Sequence, residues 1–155
     1  MILQDVFLPD FIKVDLKAGD RDEAFRELVA HYCQADKSNA YEEILNAITA
    51  RETKMSTGIY KGVAVPHGKT NAVKTLRGVI GISQKGVSYD ALDGEPVYLL
   101  FMVLSPMEDS QEYLRLLKHL ADIVELPDFK TELQMQKDSK NAFNVICKYE
   151  NTVKN

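Results

Sequence analysis

The feature that most constrains the fold is an uninterrupted apolar run over residues 97–104, with the sequence VYLLFMVL. A strand that is apolar at successive positions has both faces covered by other parts of the protein. Because a sheet that contains such a strand must be shielded on each side, helices are expected on both of its faces. The run therefore predicts the central strand of an α/β sandwich.

Periodicity on either side of this run predicts the other elements. Further strands are predicted at residues 11–16 (FIKVDL), 63–65 (VAV) and 78–83 (GVIGIS). Helical spacing of apolar residues predicts helices at residues 20–35, 39–52, 109–125, 128–136 and 139–149. The resulting order is a strand, two helices, three strands and three helices, which predicts a single domain over residues 1–155.

Capping signals mark the starts of three predicted helices. Asp20 with Glu23, Asn39 with Glu42, and Asp109 with Glu112 each have the spacing at which two side chains satisfy free backbone N–H groups. For the helix after residue 109, we predict an inner face formed by four apolar residues, Leu114, Leu117, Ala121 and Val124.

Charge and composition exclude several functional classes. The net charge is −4 with both signs interleaved, and without a basic stripe nucleic acid is not expected as a partner. No apolar run approaches the roughly 20 residues that span a bilayer, and the N-terminus lacks the layout of a secretory signal. Cys33 and Cys147 are far apart and outside any metal-binding spacing, so free thiols in a reducing compartment are expected. We therefore expect a cytoplasmic protein without metal, cofactor or direct membrane insertion.

Among the three histidines, His67 has the setting that best suits chemistry. His31 lies four residues after Glu27 on a polar helix face, which predicts an exposed pair, and His119 lies opposite the leucines of its helix. His67 instead lies in the glycine-rich segment 53–70, where no helical face accounts for it. P-loop, serine-elbow and zinc-helix motifs are all absent from the sequence.

The neighbours of His67 suit an imidazole that carries a bulky anion. Pro66 restricts the angle at which the chain leaves the preceding strand, and Gly68 offers no side chain to obstruct an anion. Neutral imidazole is nucleophilic near neutral pH, and a phosphoryl group on it would need hydrogen-bond donors. The nearest donors in the sequence are Arg51 and the segment 56–58. On the tripeptide Pro66-His67-Gly68 alone, an ordinary turn is the alternative.

A longer stretch around His67 resembles a known family. Arg51-Glu52, Ser56-Thr57-Gly58-Ile59 and residues 62–68 (GVAVPHG) form a run similar to that of the enzyme IIA proteins of the bacterial phosphotransferase system, of the mannitol/fructose and nitrogen-regulatory type. Residues 89–97 (YDALDGEPV) and Ser105-Pro106 also match. The resemblance covers nearly the whole chain and implies a three-layer α/β/α sandwich around a mixed sheet.

By this resemblance, His67 is the phosphorylated histidine and Arg51 stabilises the phosphoryl group through its guanidinium fork. The implied phosphate-binding loop comprises Ser56, Thr57 and Gly58, with Gly68 beside the histidine. The implied donor is the carrier HPr or its nitrogen-branch homologue. The implied acceptors are a IIB domain during sugar uptake or target proteins that respond to the phosphorylation state.

The sequence departs from the family pattern at two positions. Tyr113 stands where many members have a second histidine, and a tyrosine can donate a hydrogen bond but cannot carry a positive charge. Tyr60 replaces a frequent glycine, which is expected to alter the surface that faces a partner. Three hypotheses remain open: a nitrogen-branch regulator, a sugar-specific relay component, and a relative that no longer takes phosphate. Tyr113 and the apparent lack of a fused IIB or membrane segment favour the regulator.

Overall fold

The computed structural model describes residues 3–108 and 111–153, with the backbone alone for residues 59 and 60. Six α-helices are found in these residues: α1 (Leu3–Val6), α2 (Arg21–Asp36), α3 (Tyr41–Glu52), α4 (Gln111–Val124), α5 (Phe129–Gln134) and α6 (Ser139–Val153). Six strands accompany them: β1 (Ile12–Lys13), β2 (Gly58–Tyr60), β3 (Val63–Ala64), β4 (His67–Lys69), β5 (Arg77–Val87) and β6 (Val97–Ser105).

The strands form one mixed sheet in which β6 is the central strand, as its apolar run predicts. Along the sheet the order is β1-β5-β6-β3-β2, and β4 also pairs with β6. Strand β5 is antiparallel to β6, whereas β3 and β4 are parallel to it. The short strands β3 and β4 therefore meet successive parts of the same edge of β6, and β4 meets its carboxyl end.

Alternate side chains of β6 enter two separate cores. Leu99, Phe101 and Val103 pack in a core with residues of α1, α4, α5 and α6. Leu100 and Met102 lie in a second core with residues of α2 and α3. This alternation follows from the pleat of a strand, which points successive side chains to opposite faces. The predicted helix–sheet–helix sandwich is thus confirmed.

The first predicted strand is much shorter than residues 11–16. Phe11 belongs to a 3-10 helix, Pro9–Phe11, that starts at the proline, and only Ile12 and Lys13 pair with β5. Leu16 nevertheless donates its backbone N–H to the carbonyl of Ile82, 3.0 Å away. The alternating pattern over residues 11–16 therefore reflects a segment that runs beside the sheet, although its hydrogen bonding to β5 is interrupted.

Of the three predicted caps, one is confirmed and one is wrong. Asp20 accepts a hydrogen bond from the backbone N–H of Glu23 at 2.9 Å and caps α2. Helix α3 begins only at Tyr41, so Asn39 is too far upstream to cap it, and its N-cap residue makes no side-chain bond. The third cap falls on Asp109, which lies outside the described residues.

The predicted inner face of α4 is wrong at two of its four positions, whereas Val124 is buried and Leu117 packs against the core. Leu114 is 62% exposed and Ala121 is exposed, whereas Tyr113, Leu116 and Leu120 are buried. Both sets have helical spacing, but the stripe that starts at Tyr113 continues through Ile123 and buries an aromatic ring as well as aliphatic side chains. The rotation of the helix follows from this larger apolar stripe, and it turns Tyr113 inward.

Candidate functional site

An open cleft of about 390 Å³ lies between α3, β4 and the start of α4. Its lining combines small residues, three cations, a histidine and a tyrosine: Ala47, Ala50, Arg51, Lys54, His67, Gly68, Lys69 and Tyr113. The structure therefore brings together Arg51, His67 and Tyr113, which come from three separate elements. No acidic side chain is among these lining residues, so the cleft is suited to an anion.

The main chain holds His67 in one orientation and one tautomer. His67 opens β4 and pairs with Val103 of the central strand, whose N–H donates to the carbonyl of Pro66. The Nδ1 atom of His67 lies 2.7 Å from the carbonyl oxygen of Val65. Because a carbonyl oxygen can only accept, Nδ1 carries the proton and Nε2 carries the lone pair. Among the described residues none forms a hydrogen bond with Nε2.

The surroundings of His67 favour the neutral imidazole. Burial lowers the pKa of His67 below its ordinary value, and the positive charge of Arg51 acts in the same direction. The hydrogen bond to Val65 and the negative charge of Glu52 oppose this effect without reversing it. The neutral form of the His67 imidazole is consequently favoured near neutral pH.

Three cations surround the imidazole. Arg51 donates from Nη1 to the carbonyl of Met55 at 2.9 Å, which fixes the guanidinium at the end of α3. Lys54 and Lys69 were not predicted, although Lys54 lies between Arg51 and Ser56 in the sequence and Lys69 directly follows Gly68. Within the described part of the chain, none of the three cations forms a salt bridge with a carboxylate. Their charge is therefore available to an incoming anion.

Tyr113 covers the histidine from the side of α4. Its ring lies edge-on to that of His67 with 5.5 Å between centroids, and the Lys69 ammonium is 5.6 Å from the centroid of the tyrosine ring. Burial raises the pKa of Tyr113 far above its ordinary value, so the phenol stays protonated and can only be a neutral donor or acceptor.

The structure separates the members of the predicted phosphate-binding loop. Gly68 lines the cleft, whereas Ser56, Thr57 and Gly58 are not among the lining residues. Thr57 donates both its backbone N–H and its hydroxyl to Glu52, and the N–H of Gly58 is bonded to the hydroxyl oxygen of Ser56. The N–H and hydroxyl of Thr57 and the N–H of Gly58 are thus already hydrogen-bonded inside the protein.

Gly68 packs closely against the backbone of α3. A Cβ atom at this position would lie 3.0 Å from the carbonyl oxygen of Ala47 and 3.1 Å from its carbonyl carbon. Strand β4 therefore lies directly against the backbone of α3. This close approach sets the distance between His67 on the strand and Arg51 on the helix.

The other two histidines have structural partners that the sequence did not reveal. His31 lies 3.0 Å from the carbonyl of Asp10 rather than pairing with Glu27, whose carboxylate accepts from the backbone of residues 17 and 18. His119 is bonded at 2.8 Å to the fully buried carboxylate of Glu150. Neither histidine lines the cleft.

Three further features concern the cysteines, the potential metal ligands and the helices of the described residues. Cys33 and Cys147 are free thiols. No group of three potential metal ligands occurs among the residues that the structure describes. None of the helices in that part of the chain combines the length and the apolar character that crossing a bilayer requires.

Comparisons with known proteins identify the family to which the chain belongs. A family model described as "Phosphoenolpyruvate-dependent sugar phosphotransferase system, EIIA 2" matches residues 5–149. The chain is 25% identical over 147 residues to a nitrogen regulatory protein of Bradyrhizobium diazoefficiens, covering 95% of each. It is 29% identical over 142 residues to the fructose-specific EIIABC component of Bacillus subtilis, covering 92% of this chain but only 22% of that protein.

A solved structure supports the same assignment. The crystal structure of the nitrogen regulatory protein IIA-Ntr from Neisseria meningitidis superimposes with a TM-score of 0.85 at 26% identity, covering 93% of this chain and 98% of that one. The family match begins within α1, ends at Tyr149 within α6 and includes every lining residue of the cleft. The chain therefore belongs to the EIIA 2 family of the phosphoenolpyruvate-dependent sugar phosphotransferase system.

Proposed function

We propose that His67 accepts a phosphoryl group on Nε2 from phosphorylated HPr or its nitrogen-branch homologue. The observation that carries this proposal is the hydrogen bond from Nδ1 to the carbonyl of Val65, at 2.7 Å. It holds the proton on one nitrogen and leaves the lone pair on the other, inside a cleft that also contains Arg51.

The proposed transfer needs little more than positioning and charge. The P–N bond of the donor's phosphohistidine breaks while a bond forms between phosphorus and Nε2 of His67, and the donor imidazole recovers its electron pair. His67 keeps its Nδ1 proton, so no general base is required. The guanidinium of Arg51 and the ammonium groups of Lys54 and Lys69 offset the charge of the phosphoryl oxygens.

Two side chains have supporting roles in this proposal. Arg51 holds the phosphoryl oxygens, since a guanidinium presents several donors in a fixed geometry. Tyr113 donates a hydrogen bond from its hydroxyl to a phosphoryl oxygen, in place of the second histidine that the family resemblance implies. From the predicted loop, Gly68 is retained as a direct neighbour of the phosphate and Ser56 as a hydroxyl donor, whereas the donors of Thr57 and Gly58 are already bonded within the protein.

The proposed biological role is that of a cytoplasmic, nitrogen-branch regulator made of one domain over residues 1–155, whose phosphorylation state controls its binding to target proteins. The support is the 95% coverage of a nitrogen regulatory relative and the TM-score of 0.85 with IIA-Ntr. A sugar-specific IIA component that passes the phosphoryl group to a IIB domain is the second candidate. The fructose-specific relative at 29% identity favours it.

Incubation with phosphoenolpyruvate, enzyme I and either HPr or its nitrogen-branch homologue tests the first step. Intact mass spectrometry should show one added phosphate that is lost in acid, retained in alkali and absent from His67→Ala. Failure to label with any carrier would leave the relative that no longer takes phosphate as the remaining hypothesis. Adding candidate IIB domains separates the two roles, because discharge of the phosphoprotein onto one of them would favour sugar uptake.

A further inference from the structure

The carboxylate of Glu52 is buried immediately beside the cleft but does not line it. Glu52 is the last residue of α3, directly after Arg51, and is only 5% exposed. Its Oε2 accepts the backbone N–H of Thr57 at 2.8 Å, and its Oε1 accepts the hydroxyl of Thr57 at 2.7 Å. A buried carboxylate is costly unless donors compensate it. The two hydrogen bonds from Thr57 provide this compensation and hold the Glu52 carboxylate in place.

Tyr89 completes the network from the opposite side. Its hydroxyl lies 2.8 Å from the hydroxyl of Thr57 and 3.4 Å from Oε1 of Glu52. Because Thr57 gives its only hydroxyl proton to Glu52, Tyr89 must be the donor to Thr57. Burial and the nearby charge of Glu52 raise the pKa of Tyr89 far above its ordinary value, so this proton is retained. The hydroxyl of Tyr89 thus donates to that of Thr57, which in turn donates to the Glu52 carboxylate.

Two short paths lead from this network to the reacting groups. The carbonyl of Thr57 accepts the N–H of Val65 at 3.0 Å, and the carbonyl of Val65 accepts Nδ1–H of His67. The Glu52–Thr57 contact also closes the turn over residues 53–56, which contains the Met55 carbonyl that holds Arg51. One buried carboxylate is therefore connected to both the orientation of the imidazole and that of the guanidinium.

We propose that Glu52 is a positioning residue that fixes the Nδ1–H tautomer of His67 and the placement of Arg51 through Thr57. The inference rests on the proposed phosphoryl transfer for its purpose, but its structural content stands apart from it. With Glu52 in place, the Val65 carbonyl is held where it accepts the hydrogen bond from Nδ1–H of His67. Without Glu52, the Val65 carbonyl is free to move and the two imidazole tautomers become mixed. A smaller fraction of the molecules then has the lone pair on Nε2.

The test measures the tautomer directly. In Glu52→Gln, an amide nitrogen replaces one carboxylate oxygen, so Thr57 can no longer donate its N–H and its hydroxyl to two oxygens of residue 52. We expect the imidazole ¹⁵N chemical shifts of His67 to change from a predominant Nδ1–H pattern to a mixed one. The phosphorylation rate should fall about tenfold or more, mainly in kcat, because a small misplacement of reacting groups has effects of this size.

Glu150→Gln is the matched control. Glu150 is also a fully buried carboxylate that accepts two backbone N–H groups, those of Leu3 and Gln4, but it lies away from the cleft. We expect it to lower stability while the His67 shifts and the phosphorylation rate stay near those of the unaltered protein. Thr57→Ser should preserve the tautomer because it keeps the hydroxyl, whereas Thr57→Val should shift it.

An unchanged tautomer in Glu52→Gln would overturn the proposal, as would an equal change in Glu150→Gln. Should Glu52→Gln fail to fold, Thr57→Val decides the matter by the same readout. A protein that takes no phosphate from any carrier would refute the proposed function, yet the ¹⁵N comparison would still test the role of Glu52. The two ideas can therefore fail separately.

Discussion

The ring of Tyr113 stands edge-on to the ring of His67, with 5.5 Å between the centroids and 63° between the planes. The contact exists because α4 buries the stripe that begins with Tyr113 rather than the one that begins with Leu114. The imidazole is consequently held between the ring of Tyr113 and the carbonyl of Val65, which accepts a hydrogen bond from Nδ1–H. A neutral phenol thus occupies the place where the family resemblance implies a titratable histidine.

Replacing Tyr113 with histidine should raise the rate of phosphoryl transfer. A protonated imidazole would add a charge-assisted hydrogen bond to the phosphoryl group, which is worth about 1.5–3 kcal/mol, so an increase of about tenfold is expected. Quench-flow measurement of transfer from the phosphorylated carrier would give the rate.

The matching control for that substitution is Tyr113→Phe, which keeps the ring over His67 and removes the hydroxyl. A rate for Tyr113→His at or below that of the unaltered protein would show that the phenol already serves the site. In that case Tyr113→Phe should be slower than both.

The rate of phosphorylation should depend on pH below the ordinary histidine range. Burial holds the pKa of His67 below its usual value of about 6.5, and only the neutral ring has a lone pair on Nε2. The rate should therefore be flat near neutral pH and fall only on acidification below about 6.5. A midpoint at or above that value would contradict the assignment. The pH profile of the donor system must be measured separately with a second IIA acceptor.

The lowered pKa of His67 should also make the free energy of unfolding depend on pH. Because the folded protein binds the His67 proton less tightly than the unfolded chain, the free energy of unfolding should decrease as pH falls below about 6.5 and level off below the folded pKa. His31 has a lowered pKa for the same reason, burial, and contributes in the same direction. Chemical denaturation of the unaltered protein and His67→Asn over this range would isolate the contribution of His67. Identical pH dependence in both proteins would contradict it.

Much of the fold follows from local sequence patterns. The apolar run over residues 97–104 predicted the central strand because continuous burial needs cover on both faces, and the Asp20 cap predicted the start of α2 from side-chain chemistry alone. The face of α4 was not predictable in the same way. Two stripes of that helix have similar spacing, and the choice between them depends on which one the sheet and α6 can cover.

The site was predictable only to the extent that its members are neighbours in the sequence. His67, Gly68 and Arg51 lie in one motif-bearing segment, and all three line the cleft. Thr57 belongs to the same segment but faces Glu52, because its hydroxyl compensates a buried charge that no local pattern reveals. Tyr89 joins that network from 32 positions away, a contact that only the folded chain creates.

Removing the carboxylate charge of Glu150 should loosen the N-terminal helix. Glu150 is fully buried and accepts the backbone N–H groups of Leu3 and Gln4 as well as a hydrogen bond with His119. Glu150→Gln leaves one of these donors without an acceptor, which should cost about 1–3 kcal/mol in the free energy of unfolding. Hydrogen exchange should accelerate first in α1. Unchanged protection there would show that apolar packing alone holds the helix.

Substituting Gly68 with alanine should affect both stability and phosphorylation. The new Cβ would lie 3.0 Å from the carbonyl oxygen of Ala47, and because this neighbour is backbone rather than a flexible side chain, α3 or β4 must move. Overpacking of this kind costs about 1–3 kcal/mol. The displacement would also separate His67 from Arg51, so labelling should slow by more than the loss of folded protein explains.

Gly19→Ala provides the comparison for that experiment, since a Cβ there would meet only Oε1 of Glu23 at 3.9 Å. Where the backbone is compatible, a glycine-to-alanine change stabilises by about 0.4–1 kcal/mol by restricting the unfolded chain. The two variants should therefore shift the unfolding midpoint in opposite directions, and only Gly68→Ala should slow labelling of His67. Normal labelling in a folded Gly68→Ala protein would mean that the contact between β4 and α3 serves packing alone. Because His67 and Arg51 lie on the two elements that this glycine joins, we expect the labelling rate to be the more sensitive of the two measurements.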